Sequence, residues 1–402
     1  MSEAKKKSAL TWLRPLFALV LLAYVAYRVP WKDRLILEPP DKGSTAIVKG
    51  EIFGDWQADS VRFVVAAGEQ PDADWPPELA AELRPGASVE LSRASIGAQP
   101  STHHDWQPGM IRVFREVEPA GLWAALGMFL VAALVSITRW WRLLLVAGCR
   151  TTWATTLRLT FLGFFFNQVV PAGITGGDVI KAVLVVRENP ARRADALVSV
   201  IVDRGLGLVT LVGLAACVVL FSDAPFDELR LPVVLTFVAM LAVLLFVMLS
   251  WPRRLFNLDR LLARVPQKER LHKLDHALRI YADHPWEMAG AVALSVLNHG
   301  FIAIGIYTLG QAFGDRLGPV EYLGVTAIAN TVSSLPIAPA GWGVGEATFG
   351  YLFHLLGASA TLGVAVSVTY RLLMMALGLV GGLFLLVPSG RTVRQELETE
   401  GV

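Results

Sequence analysis

Charge is what this 402-residue chain has least of: only 17% of its residues are Asp, Glu, Lys or Arg, against about 25% in an average soluble domain. Together with a 54% hydrophobic share and a mean hydropathy of +0.51, that shortage excludes a soluble enzyme, a disordered chain and a coiled coil. Cysteine is nearly missing as well. Cys149 and Cys217 both lie in or beside apolar runs, which gives no support to a disulfide framework or a cysteine metal site. The formal net charge is +2 and no basic segment interleaved with aromatics stands apart from the apolar runs, so nucleic acid is not an expected partner. No G-x-x-x-x-G-K-[ST] loop occurs, so an ATP-driven process is not expected.

What the chain has in abundance is apolar runs of bilayer length, about 20 residues of helix. The first, 15–29, follows Lys5, Lys6, Lys7 and Arg14 in the manner of a signal peptide. No small-residue cleavage site follows it, so residues 1–30 read as an uncleaved transmembrane anchor. Further runs lie at 120–138, 155–171, 195–222, 231–250, 286–312, 320–338, 341–357 and 361–387, and a piece at 177–187 is too polar and short for an ordinary span. Basic residues fall in alternate loops: Arg139, Arg142 and Arg150, then Arg187, Arg192 and Arg193, then the stretch 252–284. The positive-inside rule puts these loops and both termini in the cytoplasm.

Residues 31–118 differ in composition, with 15 Asp+Glu against 9 Lys+Arg, a balance of −6. On the same topology this block lies outside. Its runs TAIVKGEI, SVRFVVAAG, ASVELSR and MIRVFREV, separated by Gly, Pro and Asp, predict a small β domain. His103, His104 and Asp105 lack a partner at metal-ligand spacing and read as a polar turn. In 252–284, Leu255, Leu258, Leu262 and Val265, then Leu271, Leu274 and Leu278, recur at helical spacing beside basic residues. That pattern fits a helix lying on anionic lipid, and equally one packed on its own bundle. His272 and His276 lack the Glu of a zinc-hydrolase motif and read as solvated or capping residues.

The most informative feature is an internal repeat. PAGITGGD at 171–178 matches PAGWGVGE at 339–346, aligning Gly173 with Gly341, Gly177 with Gly345 and Asp178 with Glu346. An arginine follows each acid inside the next apolar run: Arg204 after 26 residues (204 − 178) and Arg371 after 25 (371 − 346). The two copies begin with runs of opposite direction, so the repeats, about 155–222 and 320–387, are inverted. Gly- and Pro-interrupted helices at matching positions of inverted halves indicate a transporter fold with its site at the repeat interface. Pro and Gly at membrane depth free backbone N–H groups that hydrocarbon cannot satisfy, and half-helix N-termini suit a phosphate head group.

Asp178, Lys181, Asp203, Arg204, Glu346 and Arg371 all fall in or beside apolar runs, where each charge costs about 2.5–3.5 kcal/mol on insertion scales. They read as a binding site, with buried ion pairing as the alternative. Asn167, Asn330, Ser333 and Ser334 are lower-ranked candidates for its polar lining. Trp342 and Tyr370 suggest a more aromatic second half, where an aromatic beside an acid could also cage a cationic amine.

These residues resemble the flippase-like transmembrane region of lysylphosphatidylglycerol synthases, which also occurs as stand-alone membrane proteins. The resemblance rests on NQVVPAGITGGDVIKA, VSVIVDRGLGL, SLPIAPAGWGVGEATF and VTYRLLMMALGLVGGL, and covers roughly 120–388. It implies an all-α polytopic membrane protein with inverted repeats and re-entrant or broken helices, here with a small extracytoplasmic β-rich domain added. By the resemblance, substrate binding falls to Gly173, Gly176, Gly177, Asp178, Lys181, Asp203, Arg204, Gly341, Gly343, Gly345, Glu346, Tyr370 and Arg371. Lys181 stands where the family more typically has Arg, which keeps the charge and loses the bidentate fork. The tail 389–402 leaves no room for the synthases' soluble aminoacyl-transferase domain, so lysyl transfer is not expected.

The expected organisation is an anchor at 1–30, the β-rich block at 31–118, a flippase-like domain at 119–388 containing the interfacial loop 252–285, and a cytoplasmic tail. The expected function is movement of a phospholipid or polyprenyl-phosphate-linked lipid between leaflets of a prokaryotic plasma (inner) membrane, without enzymatic activity, cofactor or metal. Phosphate-headed membrane lipids are the expected partners; a homo-oligomer and an envelope partner for 31–118 stay open. Two other classes compete. An intramembrane lipid-phosphate or sugar transferase would use Asp178 or Asp203 as general base, and a non-transporting envelope sensor or assembly protein would use the charges structurally.

Overall fold

A computed structural model describes residues 19–20, 22–27, 29–38, 46–68, 83–92, 103–169, 175–222, 225–248, 268–335 and 341–385. Most of the expected anchor lies outside these, although Val25 and Val29 pack beside Met110 and Val113. Strands β1 (Asp33–Glu38), β2 (Ala46–Phe53), β3 (Ser60–Val65), β4 (Ser88–Ser92) and β5 (His103–Gln107) form an antiparallel sheet in the order β4-β3-β2-β1-β5. Strand alternation buries Val61, Phe63 and Val65 on one face, where Leu35, Val48, Ile52, Leu91 and Trp106 join them.

Two local expectations are corrected here. His103, His104 and Asp105 are not a turn; they form the edge strand paired with Glu38, Leu37 and Ile36. The MIRVFREV run is not a strand; its start is helix α1 (Met110–Arg115), which buries Met110 and Val113 three residues apart. The apolar residues Met110, Val113, Phe114 and Val117 keep helical spacing, and that outweighs their β-branched content. Asp33 ties this helix to the sheet. Its buried carboxylate accepts from Gly109 N at 2.7 Å, Ile52 N at 2.9 Å and Arg112 Nε at 2.8 Å.

The helices that follow are α2 (Pro119–Val146), α3 (Trp153–Val169), α4 (Thr175–Glu188), α5 (Arg193–Phe221), α6 (Asp227–Met248), α7 (Lys268–Ala282), α8 (Pro285–Ala312), α9 (Pro319–Ser334), α10 (Val344–Leu355) and α11 (Ala360–Leu383). Five described helices are long and apolar enough to cross a membrane: α2, α5 with the short turn before it, α6, α8 and α11. Among the described residues the runs expected at 155–171 and 320–338 form helices shorter than the bilayer core. Helices α3 and α9 have 17 and 16 residues, or roughly 25 Å at 1.5 Å per residue, against about 30 Å of hydrocarbon.

Each of these two helices is followed by one that turns back. Helix α3 begins near Arg150, and α4 ends beside it, where Asn189 Oδ1 accepts from Arg150 N at 3.0 Å; Arg158 and Glu188 also pair across the two helices. This re-entrant hairpin enters from the side opposite the sheet. Hairpin α9–α10 starts after Gly314–Leu317 and ends at Leu356–Ser359, both of which border Trp56, Gln57 and Trp106 of the sheet block. It therefore enters from the sheet side.

The spans complete the inversion. Glu118 N donates to Ala312 O at 3.0 Å, and Arg142 pairs with Glu287 at 2.8 Å, so α2 and α8 pack antiparallel. Helix α2 then corresponds to α8, α3 to α9, α4 to α10 and α5 to α11, and the packing obeys that correspondence: α3 lies on α11, and α9 on α5. Each repeat therefore has four helices, one more than its sequence motif delimits.

Helix α7 is the described part of the long basic loop, and residues 251–267 lie outside the described residues. It follows the second of the two readings, packing on its own bundle. Ala277 and Tyr281 are buried, Leu274 and Leu278 pack beside them, and Tyr281 Oη donates to Leu143 O at 3.2 Å; His276 is exposed.

The sheet block is fastened to the turn between α8 and α9. Arg316 Nη2 donates to Gln57 O at 2.8 Å, and Gln57 Nε2 donates back to Gly314 O. In this turn burial pushes the Asp315 carboxyl above the usual carboxylate range, opposed by hydrogen bonds from Tyr322 Oη and the Leu317 amide that favour the ionised form. The folded protein thus keeps a proton over a weakly acidic range in which the unfolded chain has lost it, and stability falls as pH rises through that range. Asp315→Asn should flatten this part of a Tm-against-pH profile and leave Tm near neutrality equal to or above that of the wild type.

Candidate functional site

Two apolar layers sandwich a polar one. On the sheet side Phe129, Leu211, Phe226, Leu309, Tyr322, Phe349 and Phe353 are buried together; on the far side Trp140, Leu143, Leu184, Val198 and Tyr281 are. Between them lies a cavity of about 320 Å³, lined by Arg139, Asp178, Lys181, Asp203, Arg204, Asn298, His299, Tyr370 and Arg371 among others. The lining positions on α2, α5, α8 and α11 sit near the midpoints of those spans. The tips of both hairpins reach the same space: Asn167 ends α3, and Asn330, Ser333 and Ser334 end α9.

The matched acids and arginines pair within each repeat. Arg204 Nε lies 3.6 Å from Asp178 Oδ2, and Arg371 Nε lies 2.6 Å from Glu346 Oε1. Glu346 is fully buried and does not line the cavity; its other oxygen accepts from Gly343 N at 2.5 Å. Gly341 and Gly343 adopt φ of +69° and +81°, a region that favours glycine. That backbone lets the start of α10 fold over Arg371. Gly345 is required by contact instead, because a Cβ there would overlap Arg371 Nη2.

The first hairpin uses different atoms for the same task. Gly177 N donates to Asn167 Oδ1 at 2.7 Å, and a Cβ on Gly177 would run into Gly163 O, so α3 and α4 touch backbone to backbone. The amides of Gly177 and Gly343 are therefore satisfied by the protein's own side chains and are not free for a ligand. Gly176 opens the same helix; Gly173 lies outside the described residues.

Lys181 differs from the other charges. It is buried on α4, no carboxylate lies within ion-pairing distance among the described residues, and its Nζ sits 4.1 Å above the Trp140 ring. Its stem lies along Gly163, where a Cβ would come within 2.7 Å of Lys181 Cγ. Gly163→Ala should push the ammonium off the Trp140 face without changing any charge, and the crowded contact should lower Tm in a thermal unfolding curve.

Arg139 was expected in a loop; it is instead buried in α2. Its Nε donates to Asp203 Oδ1 and its Nη1 to Ser295 Oγ, both at 2.8 Å, and these bonds offset the desolvation that would otherwise push it to the surface. The same layer holds Asn298 and His299, whose Nε2 lies 2.9 Å from Gly207 O. Because a carbonyl only accepts, that nitrogen carries the proton. Sequence reasoning missed Arg139, Gly163, Trp140, Asn298 and His299. The signal available was the interruption of apolar runs by R-W-W and N-H-G.

Trp342 contributes from outside the cavity, 5.6 Å under the Arg371 guanidinium, while Tyr370 meets Phe129 edge-on at 5.2 Å. Among the described residues the layer holds four bases, Arg139, Lys181, Arg204 and Arg371, against three acids, Asp178, Asp203 and Glu346. One positive charge is in excess.

Fold and cavity together define a multi-pass membrane protein with two inverted halves around a charged chamber. The chain belongs to the family described as the lysylphosphatidylglycerol synthase TM region, which matches residues 107–382. It is similar to a UPF0104 membrane protein of Methanothermobacter thermautotrophicus, 22% identical over 236 residues, covering 54% of this chain and 69% of the relative. A UPF0104 membrane protein of Pyrococcus horikoshii is 21% identical over 285 residues, covering 65% of this chain and 85% of that one. This membership points to a function connected with membrane lipids.

Proposed function

We propose that the chain moves a lipid with an anionic phosphate head group between leaflets, as a flippase or scramblase. The observation that carries this reading is the excess base: Lys181 faces a mid-membrane cavity held by an aromatic ring and, among the described residues, by no carboxylate. A buried ammonium is costly unless it is paired, and a phosphate oxygen is the partner it lacks. Asn298, Ser333 and Ser334 line the same space and would hydrogen-bond the rest of the head group, while the acyl tails stay in lipid. Inverted hairpins meeting at one site are the arrangement expected for alternating access. Asp203 is held by Arg139 at 2.8 Å, which leaves it no ready general base for a transferase.

The test is reconstitution of the full chain in liposomes with labelled phosphatidylglycerol, phosphatidylcholine and polyprenyl phosphate. Movement of an anionic lipid above protein-free background supports the reading. Movement of none, or of phosphatidylcholine alone, overturns it.

A further inference from the structure

The two acid–arginine pairs occupy matching places in the repeats yet are built differently. Glu346 and Arg371 form a closed clasp. Their side chains are 0% and 11% exposed at 2.6 Å, Glu346 also takes the Gly343 amide and lies 3.5 Å from Ser367 Oγ, and Arg371 also donates to Ser333 Oγ at 3.2 Å and lies over Trp342. Asp178 and Arg204 share only a 3.6 Å approach, with side chains 24% and 49% exposed to the cavity, and neither has another hydrogen bond among the described residues. Lys181 stands one helical turn from Asp178 on the same face of α4.

We propose that Asp178–Arg204 is an exchangeable pair and Glu346–Arg371 a permanent one: the arriving phosphate replaces the Asp178 carboxylate on Arg204, and Lys181 holds its other oxygens. This deepens, and rests on, the reading of the cavity as a phosphate head-group site. The physical grounds are solvation and alternatives. A half-exposed arginine with one long contact gives up little when it changes anion, and its fork matches phosphate as well as carboxylate. A dry pair whose partners are also held by Gly343, Ser367 and Ser333 would leave a buried carboxylate unpaired if it opened. The returning carboxylate then supplies the means of release, since Asp178 competes for Arg204 at every cycle. Asp178 is on this account a positioning residue that limits affinity so that turnover can proceed.

The experiment is a titration of the purified full chain in detergent with dihexanoyl phosphatidylglycerol, alongside dihexanoyl phosphatidylcholine, followed by liposome transport kinetics. Asp178→Asn removes the competitor and is expected to lower Kd for the anionic lipid about tenfold, while kcat falls. In an Arg204→Gln background the same substitution is expected to leave Kd unchanged within twofold, and that separates exchange on Arg204 from a general gain of positive charge. Glu346→Gln is expected to lower Tm without tightening binding; should it fail to fold, the cycle between Asp178 and Arg204 decides the matter alone. Binding by wild type with no tightening in Asp178→Asn, or tightening that persists without Arg204, overturns the exchange while leaving the site reading intact. Absence of anionic-lipid binding to wild type overturns both.

Discussion

On the proposed role of the cavity, replacing Lys181 by Gln will reduce anionic-lipid movement on the order of 10- to 100-fold while leaving the protein folded. The magnitude follows from the loss of a hydrogen bond to a charged group, about 1.5–3 kcal/mol. The fold should survive because Lys181 has no carboxylate to abandon among the described residues. Removing it leaves three bases and three acids, a neutral layer with every acid still paired. Lys181→Arg keeps the charge but must fit a wider planar group between Trp140 and Gly163 and should recover only part of the rate. Initial rates in liposomes together with a thermal unfolding curve check both halves of this expectation. Wild-type transport by Lys181→Gln would remove the ammonium from the mechanism.

The opposite profile is expected at Asp203. Asp203→Ala strands Arg139 with only Ser295 as a partner among the described residues, and leaving a buried charge unpaired costs about 3–5 kcal/mol. This should appear as a large fall in Tm and poor recovery from the membrane, with binding lost only because folded protein is lost. The second variant Asp203→Ala with Arg139→Met should regain much of the stability, because an apolar replacement of both partners is often neutral. If Asp203→Ala keeps its Tm but loses transport, Asp203 has a direct role in handling the substrate.

Much of this was legible beforehand, for a definite reason. Pro, Gly and intramembrane charge are expensive in hydrocarbon, so where they recur at equal spacing the sequence marks a functional place, and Asp178, Arg204, Glu346 and Arg371 were found that way. Their unequal burial was not legible. It depends on Ser333, Ser367 and Trp342, which reach Arg371 or Glu346 from separate elements. Arg139 looked like a loop residue because a basic side chain closing an apolar run ordinarily marks the membrane edge; its burial is set by Asp203 and Ser295, 64 and 156 positions away. The β5 strand escaped because an edge strand rich in His and Asp carries little apolar alternation, and α1 was misassigned because its β-branched residues suit either period.

Helix α6 gains a meaning from counting crossings. A four-helix repeat contains two full crossings, α2 and α5, and a hairpin that contributes none, so it returns the chain to the face on which it began. A second copy joined directly to the first would face the same way. One additional crossing is enough to reverse it, and α6 supplies that crossing while no part of its most apolar window is buried in the protein. Its contribution is one of parity: it lines none of the cavity, yet without an odd span between the halves the two hairpins would enter from the same side and their polar ends would not line one cavity.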